Sequence, residues 1–537
     1  MVFKNSFLFL KKKIRSLYLN SNIYNKKISS FDDCFLEYKP SPSLLDCLIK
    51  YSKKKIKIEN YILSEIWDNK NLNEKDYENL NSFFWLFSLD LRSSQQDVQN
   101  VLLQWIEKNN RYNSKIWEID IIAKRIISWI SNSKLTYENS DVIYKKKFNN
   151  LIKKQINHLI NEVKKDEWID DKMIGCAAII LAGISYRDKE GYLNSGLNLL
   201  RKITKFSFDN NGFPKSRNIR QLNFYLKYFV LIREWLKESQ NEIPEYIDEN
   251  IYYLGQAYAF IWQNNKKDFL FNGNHVSNNV EFDLYLKRLG YNFKNENNEL
   301  GGYVILKNKN ITLAQDIGAS PDKKFSSNYQ AGSLSFEILS NGKKLICNSG
   351  YFQNFDHKLN NLSKSSATHS TLVLDDTSSC KFTKQSNLHS TISHGLKITK
   401  QNIVFEKNYW KINAAHDGYL KHYGIIHDRE IEFYPEQFKF IGHDKIISKK
   451  SQKNLKFEIR FHLEPDIKVM KTQDNKSILI DLKGEGWKFS SNINDIIIDQ
   501  GLYFGKKNFY TDNQNITISG MTNNENQTIK WEIAKLR

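Results

Sequence analysis

Apolar residues recur at helical spacing from about residue 80 to 264, in segments parted by short polar breaks. Val98, Val101, Leu102, Trp105 and Ile106 share one face, and Ile119, Ile122, Ile126, Trp129 and Ile130 share another. The series continues through Tyr144, Phe148, Leu151, Ile152 and Leu159, then Leu222, Tyr225, Leu226, Phe229 and Leu236, then Ile247, Ile251, Leu254, Tyr258 and Ile261. Each segment carries one wide apolar stripe, the mark of a helix with one buried face. The run at 173–184 (MIGCAAIILAGI) is apolar all round yet shorter than the roughly 20 residues of a membrane span, so it predicts a buried helix. Successive stripes without strands between them predict a layer or ring of helical hairpins.

Near Gly301 and Gly302 the period changes from helical to alternating. Leu334, Phe336 and Ile338 alternate with Ser335 and Glu337. Asn341-Gly342 then offers the two positive-φ positions of a type I′ hairpin before a strand at 345–347. Short strands follow at 403–405, 430–434, 438–441, 455–461, 477–482, 496–499, 516–519 and 528–533. Many short strands without helices between them predict a sandwich of antiparallel sheets.

Composition narrows the function classes. The chain has 537 residues, 40% apolar and 13% aromatic, enough for two or more folded cores and incompatible with disorder. Its five cysteines form no CxxC pair, which excludes a zinc knuckle and gives no disulfide framework. Lys+Arg 79 against Asp+Glu 60 gives +19, which favours acidic partners. The lysines are spread evenly, and no arginine-rich stripe interleaved with aromatics marks a nucleic-acid groove. The apolar run at 7–10 is too short for a signal h-region, and lysines follow it rather than precede it, so the sequence supports no claim of an export signal.

Nine of the 11 histidines fall between His357 and His462, in the first part of the β half. They cluster around 363–371 (SKSSATHST), 415–419 (AHDGY) and 427–429 (HDR). Imidazoles with phenols nearby are acid/base equipment. No HExxH, GxSxG or Walker sequence accompanies them, and no GxGxxG stands in a suitable context, so metalloprotease, serine hydrolase, kinase and Rossmann readings have no support.

The segments 333–337 (SLSFE), 345–351 (LICNSGY), 367–371 (ATHST), 375–380 and 416–419 resemble, in that order, the C-terminal domain of heparinase II/III family proteins. In the helical half, 85–92, 117–129, 211–217 (NGFPKSR), Ile232-Arg233 and 271–273 resemble the same family. The resemblance implies an α + β two-domain chain: an incomplete N-terminal α/α toroid at 80–295, an antiparallel β-sandwich at 300–537, and an extension at 1–79 packing on the toroid. It also implies a polysaccharide lyase that cleaves uronate-containing, acidic glycans by β-elimination, with no cofactor. Such a reaction needs a group to neutralise the uronate carboxylate, a base for the C5 proton and an acid for the departing O4.

The resemblance places His369, Tyr351, His416 and Tyr419 as candidate catalytic groups, and Arg217, Arg233, Gln330 and Asn348 as candidate substrate contacts. Six of the eight have a structural alternative. These are a strand-end hydrogen bond for His369, packing for Tyr351, an Asp417-Gly418 turn for His416 and Tyr419, and ion pairing for the two arginines. Where many members read His-Ala-Asp, this chain has Gln330-Ala331-Gly332, and Asn348 replaces an acidic residue. One imidazole with two amides is a poor zinc site, so no metal is expected. The alternative function is a catalytically weakened relative that binds or helps process an envelope polysaccharide. The resemblance implies a periplasmic or envelope location, with the cytoplasm as the alternative. The expected partner is an acidic polysaccharide, neither nucleic acid nor a membrane span.

Overall fold

The computed structural model describes residues 10, 13–29, 35–45, 67, 74–89, 94–166, 168–187, 191–262, 267–277, 279–354, 357–384, 390–449, 454–493, 496–523 and 525–536. Much of the 1–79 extension, including residues 7–9, Cys34 and Cys47, lies outside them. The chain divides into two units. One comprises 1–207, 225–251 and 281–290; the other comprises 208–224, 252–280 and 291–537.

The helical period materialises as helices Gln95–Lys108, Ile119–Ser131, Val142–Glu162, Ile169–Tyr186, Tyr192–Ser207, Ile219–Glu238 and Glu245–Trp262. Their starts are set by local chemistry. The Ser94 hydroxyl accepts the Asp97 N–H, and the Asp141 carboxylate accepts the Tyr144 N–H, each satisfying a donor the helix cannot pair. The predicted stripes are buried: Trp105, Ile122, Trp129, Phe148 and Ile152 are fully covered. Trp129 stacks on Phe148 with centroids 5.2 Å apart and meets Trp105 edge-on at 5.7 Å. The apolar run is the buried interior of Ile169–Tyr186, and no helix among the described residues is long and apolar enough to cross a membrane.

The second unit is antiparallel throughout its named sheets. A five-stranded meander runs from Glu299–Leu300 to Lys343–Ile346. An eight-stranded sheet has Gln527–Lys535 and Lys439–Ser448 at its centre, and a four-stranded sheet joins Leu372–Leu374 to Lys456–His462 and Thr511–Met521. All three sheets contribute to one core. Phe336 of the first stacks on Trp531 of the second (5.3 Å, 7°) and meets Phe461 of the third at 6.1 Å.

The hairpin is as predicted, with φ of 48° at Asn341 and 76° at Gly342. The strand before it differs. It starts at Phe336 rather than Leu334, whose φ is 62°, and both its faces are buried. Alternation would leave Glu337 on a solvated face. Instead Glu337 is fully covered, 2.8 Å from the equally covered Lys344. It also accepts the N–H groups of Leu270 and Asn348. A partner seven residues along the hairpin thus converts a polar position into a core one.

Candidate active site

Gln330 lies at the centre of a buried polar layer in the second unit. Its backbone N–H donates to Asn272 Oδ1, its Oε1 accepts from the Gly273 N–H at 2.9 Å, and its Nε2 donates to the carbonyls of Gly350 (3.0 Å) and Ser363 (2.5 Å). One side chain therefore ties the 272–273 loop, the Gly350 turn and the 363–369 segment together. Asn348 works similarly. Its Oδ1 accepts from the Ser370 N–H, and its own N–H and Nδ2 donate to Glu337 Oε1.

His369 follows the short 3-10 helix Ser366–Thr368 and is 1% exposed. Its Nδ1 is 2.9 Å from the Ser365 carbonyl, which can only accept, so Nδ1 carries the proton and Nε2 presents a lone pair. Nε2 is buried without a hydrogen-bond partner among the described residues. Burial pushes the imidazole down to about 4, so it stays neutral at ordinary pH. Its ring lies against Gly332, where a Cβ would stand 2.4 Å from Cδ2. Gly332→Ala is therefore expected to displace the ring and reduce any His369-dependent activity by about tenfold or more, with far-ultraviolet circular dichroism unchanged; a fully active variant would show that the ring position does not matter.

The structure joins Tyr351 to this layer through its neighbours. The Ser349 N–H donates to the Thr368 carbonyl at 3.0 Å, bringing the 349–351 segment beside 368–369. The Tyr351 phenol donates to Asn328 Oδ1 and accepts from Asn360 Nδ2, both at 3.1 Å, and burial raises its pKa. His416 and Tyr419 are engaged locally: His416 Nδ1 accepts the Gly418 N–H at 3.1 Å, and the Tyr419 hydroxyl donates to the Leu372 carbonyl at 2.8 Å. These contacts make the HDGY sequence a structural turn.

The two arginines diverge from the role of sugar contact. Arg217 Nε donates to Gly301 O, Nη1 to Gly318 O and Ala319 O, and Nη2 to Gly302 O and Asp316 Oδ1. All five N–H donors are engaged inside the protein, which leaves none for a carboxylate. Arg233 belongs to the helical unit, where it pairs with Asp248 and Glu234.

Sequence reasoning missed Arg220. Its half-buried guanidinium has no hydrogen-bond or ion-pair partner among the described residues, and it lies near enough to Tyr351 to oppose the effect of burial on that phenol. A signal was present. Asn218 accepts the Arg220 N–H as the cap of helix Ile219–Glu238, and a cation in a first helical turn opposes the helix dipole, a local cost that marks functional positions.

Residues 296–532 match the family model described as heparinase II/III-like, C-terminal. The sandwich half of the chain is therefore similar to heparinase II/III C-terminal domains. No curated protein matches the chain by sequence. Among solved structures, the chain is similar to a mutant of the heparan sulfate lyase HepC from Pedobacter heparinus (TM-score 0.68, 13% identity, 95% of this chain and 87% of that one). It is also similar to a heparinase III (TM-score 0.67, 14% identity, 93% and 85%). The fold is thus an α/α toroid followed by an antiparallel β-sandwich, as in those two structures. Zinc does not fit the heparinase-like domain at Gln330, Asn348 and His369. Both amide oxygens already accept backbone N–H groups, leaving one imidazole nitrogen.

Proposed function

We propose that this protein is a polysaccharide lyase that cleaves an acidic, uronate-containing glycan by β-elimination at the cell envelope. The observation that carries the reading is His369: a neutral imidazole whose tautomer is fixed by Ser365 and whose Nε2 lone pair is uncommitted. In this reading the Arg220 guanidinium neutralises the uronate carboxylate so that the C5 proton becomes acidic, Nε2 takes that proton as the C4–C5 double bond forms and the C4–O4 bond breaks, and the imidazolium returns it to the departing O4. Tyr351, held by Asn328 and Asn360, shapes the wall beside them.

One observation favours a second reading. Nε2 is covered, so a chain that binds glycan without cleaving it would need no movement of the 331–332 segment.

The assay is the near-ultraviolet absorbance of the unsaturated uronate product, on alginate, glycosaminoglycans and bacterial uronate polymers. His369→Ala should lower turnover by about 10² or more with the fold intact. Because burial lowers this imidazole to about 4, the acidic limb of kcat/KM should lie near pH 4 rather than at the usual histidine value near 6.5. A product without the double bond would overturn the lyase reading, and binding with no product from any polymer would move the conclusion to the second one.

A further inference from the structure

In the helical unit, residues 13–19 form a helix that is followed by a second one, Asn22–Ile28. Both rest on helix Val142–Glu162 by one side. Leu19, Tyr24 and Ile28 are buried, and Arg15 pairs with Glu162. The Tyr24 hydroxyl hydrogen-bonds with His158 Nδ1 at 2.8 Å, and Asn157 Nδ2 donates to the Ile28 carbonyl at 3.0 Å. With all three polar contacts on the same supporting helix, the outer sides of the pair look away from it. At 3.6 residues per turn, Ile14, Leu17 and Tyr18 share the outer side of the first helix, facing away from Leu19. A helix anchored in this way ordinarily turns polar residues outward. Instead Ile14 is 59% exposed, Leu17 67% and Tyr18 41%; Leu10, a helical residue four positions before Ile14, is exposed as well, and Ile23 of the second helix is 74% exposed. Single exposed apolar side chains are ordinary, whereas neighbouring ones on the outer face of a helix make a surface that gains by being covered.

The charge beside this face says what covers it. Residues 10–28 hold six Lys or Arg and no Asp or Glu, in a chain that has 60 acidic residues. Lys13, Lys26 and Lys27 are exposed and make no ion pair among the described residues, while Arg15 and Lys165 share the one carboxylate of Glu162. The carboxyls of Glu118, Asp166 and Asp171 line a cavity together with Leu19, which puts them on the inner side of the helix. Aliphatic side chains with free ammonium groups at their flank match hydrocarbon beneath a layer of phosphates, and a tyrosine at the edge suits the level of the headgroups.

We propose that this helix pair lies on an anionic phospholipid surface, with Leu10, Ile14, Leu17 and Ile23 in the acyl boundary, Tyr18 among the headgroups, and Lys13, Lys26 and Lys27 on lipid phosphates. The proposal is independent of the lyase reading, because it concerns attachment and is read without turnover.

Co-sedimentation of the full chain with vesicles of phosphatidylglycerol and phosphatidylcholine in equal parts, against vesicles of phosphatidylcholine alone, is the test. The anionic vesicles should bind about tenfold or more tighter, and added salt should weaken that binding. A chain of charge +19 can adhere to any anionic surface, so the deciding variant leaves the charge alone. Ile14→Ser combined with Leu17→Ser should weaken binding to the anionic vesicles by about tenfold or more, with far-ultraviolet circular dichroism unchanged. Ile143→Ser, at an exposed apolar position of helix Val142–Glu162, should leave it as it was. Lys13→Gln with Lys26→Gln should weaken it severalfold and flatten its salt dependence. Three results would each overturn the proposal: equal binding to neutral vesicles; a double serine variant that binds like the parent, which means adsorption by charge alone; or a parent that is dimeric by light scattering without lipid while the serine variant is monomeric, which makes a second copy the occupant.

Discussion

At pH 5 the sandwich unit should be several kcal/mol less stable to denaturant than at pH 7. Four of its imidazoles, His369, His416, His427 and His462, are buried, and burial lowers each of them, His369 to about 4 and His462 to about 3. In the unfolded chain they titrate near the ordinary histidine value, so between about pH 6.5 and 4 unfolding takes up protons and acid drives it. The stability is fully present above 6.5 and is lost as pH falls through that window. Each group contributes up to about 1.4 kcal/mol per pH unit there, before any coupling among them. Urea titrations followed by tryptophan fluorescence at the two pH values read the difference directly. Equal midpoints would show that the histidines are not held neutral.

Arg429→Met should cost about 3–5 kcal/mol, the range for removing one partner of a buried ion pair. Arg429 and Asp444 are both fully covered. The guanidinium donates to Asp444 Oδ1 at 2.7 Å and Oδ2 at 3.1 Å, and Nη1 reaches the carbonyls of Leu334 and Ser370. Although burial opposes it, Arg429 with His427 holds the Asp444 carboxyl well below the usual carboxylate range, so the variant leaves a buried charge short of its main partner. Arg429→Lys keeps the charge without the fork and should fall between the two. A lowered urea midpoint with an unchanged slope is the expected signature, and a loss below about 1 kcal/mol would contradict it. Ser370 adjoins His369, so the weakened variant should also lose activity before it unfolds.

What could be read from the sequence was local. The helical stripes and the Asn341-Gly342 hairpin depend on neighbours three to four residues apart or on two backbone angles, and both are found in the structure. Glu337 could not be placed, because its burial depends on Lys344 across a hairpin and on Leu270 far back in the chain. The cluster of histidines was visible, but not which nitrogen of which ring is free. His369 and His416 stand in equally polar sequences, yet one ring bonds through Nδ1–H to a carbonyl and the other accepts an N–H. Arg217 attracted attention by its segment, while five carbonyl and carboxylate contacts from distant residues make it structural. The candidate anion contact lies three residues on, at Arg220.

The same Arg217 contacts bear on how this protein could be inherited in pieces. The heparinase-like match begins at residue 296, but Asp316 accepts hydrogen bonds from Arg217 and Asn272, Glu337 accepts one from Leu270, and Gln330 accepts from Gly273 and donates to Asn272. Cut out along the boundaries of the match, the domain would carry buried carboxylates and amides stripped of partners encoded upstream. It is a unit of recognition by sequence without being a unit of exchange, because recombination that moved it alone would separate residues that hydrogen-bond to one another.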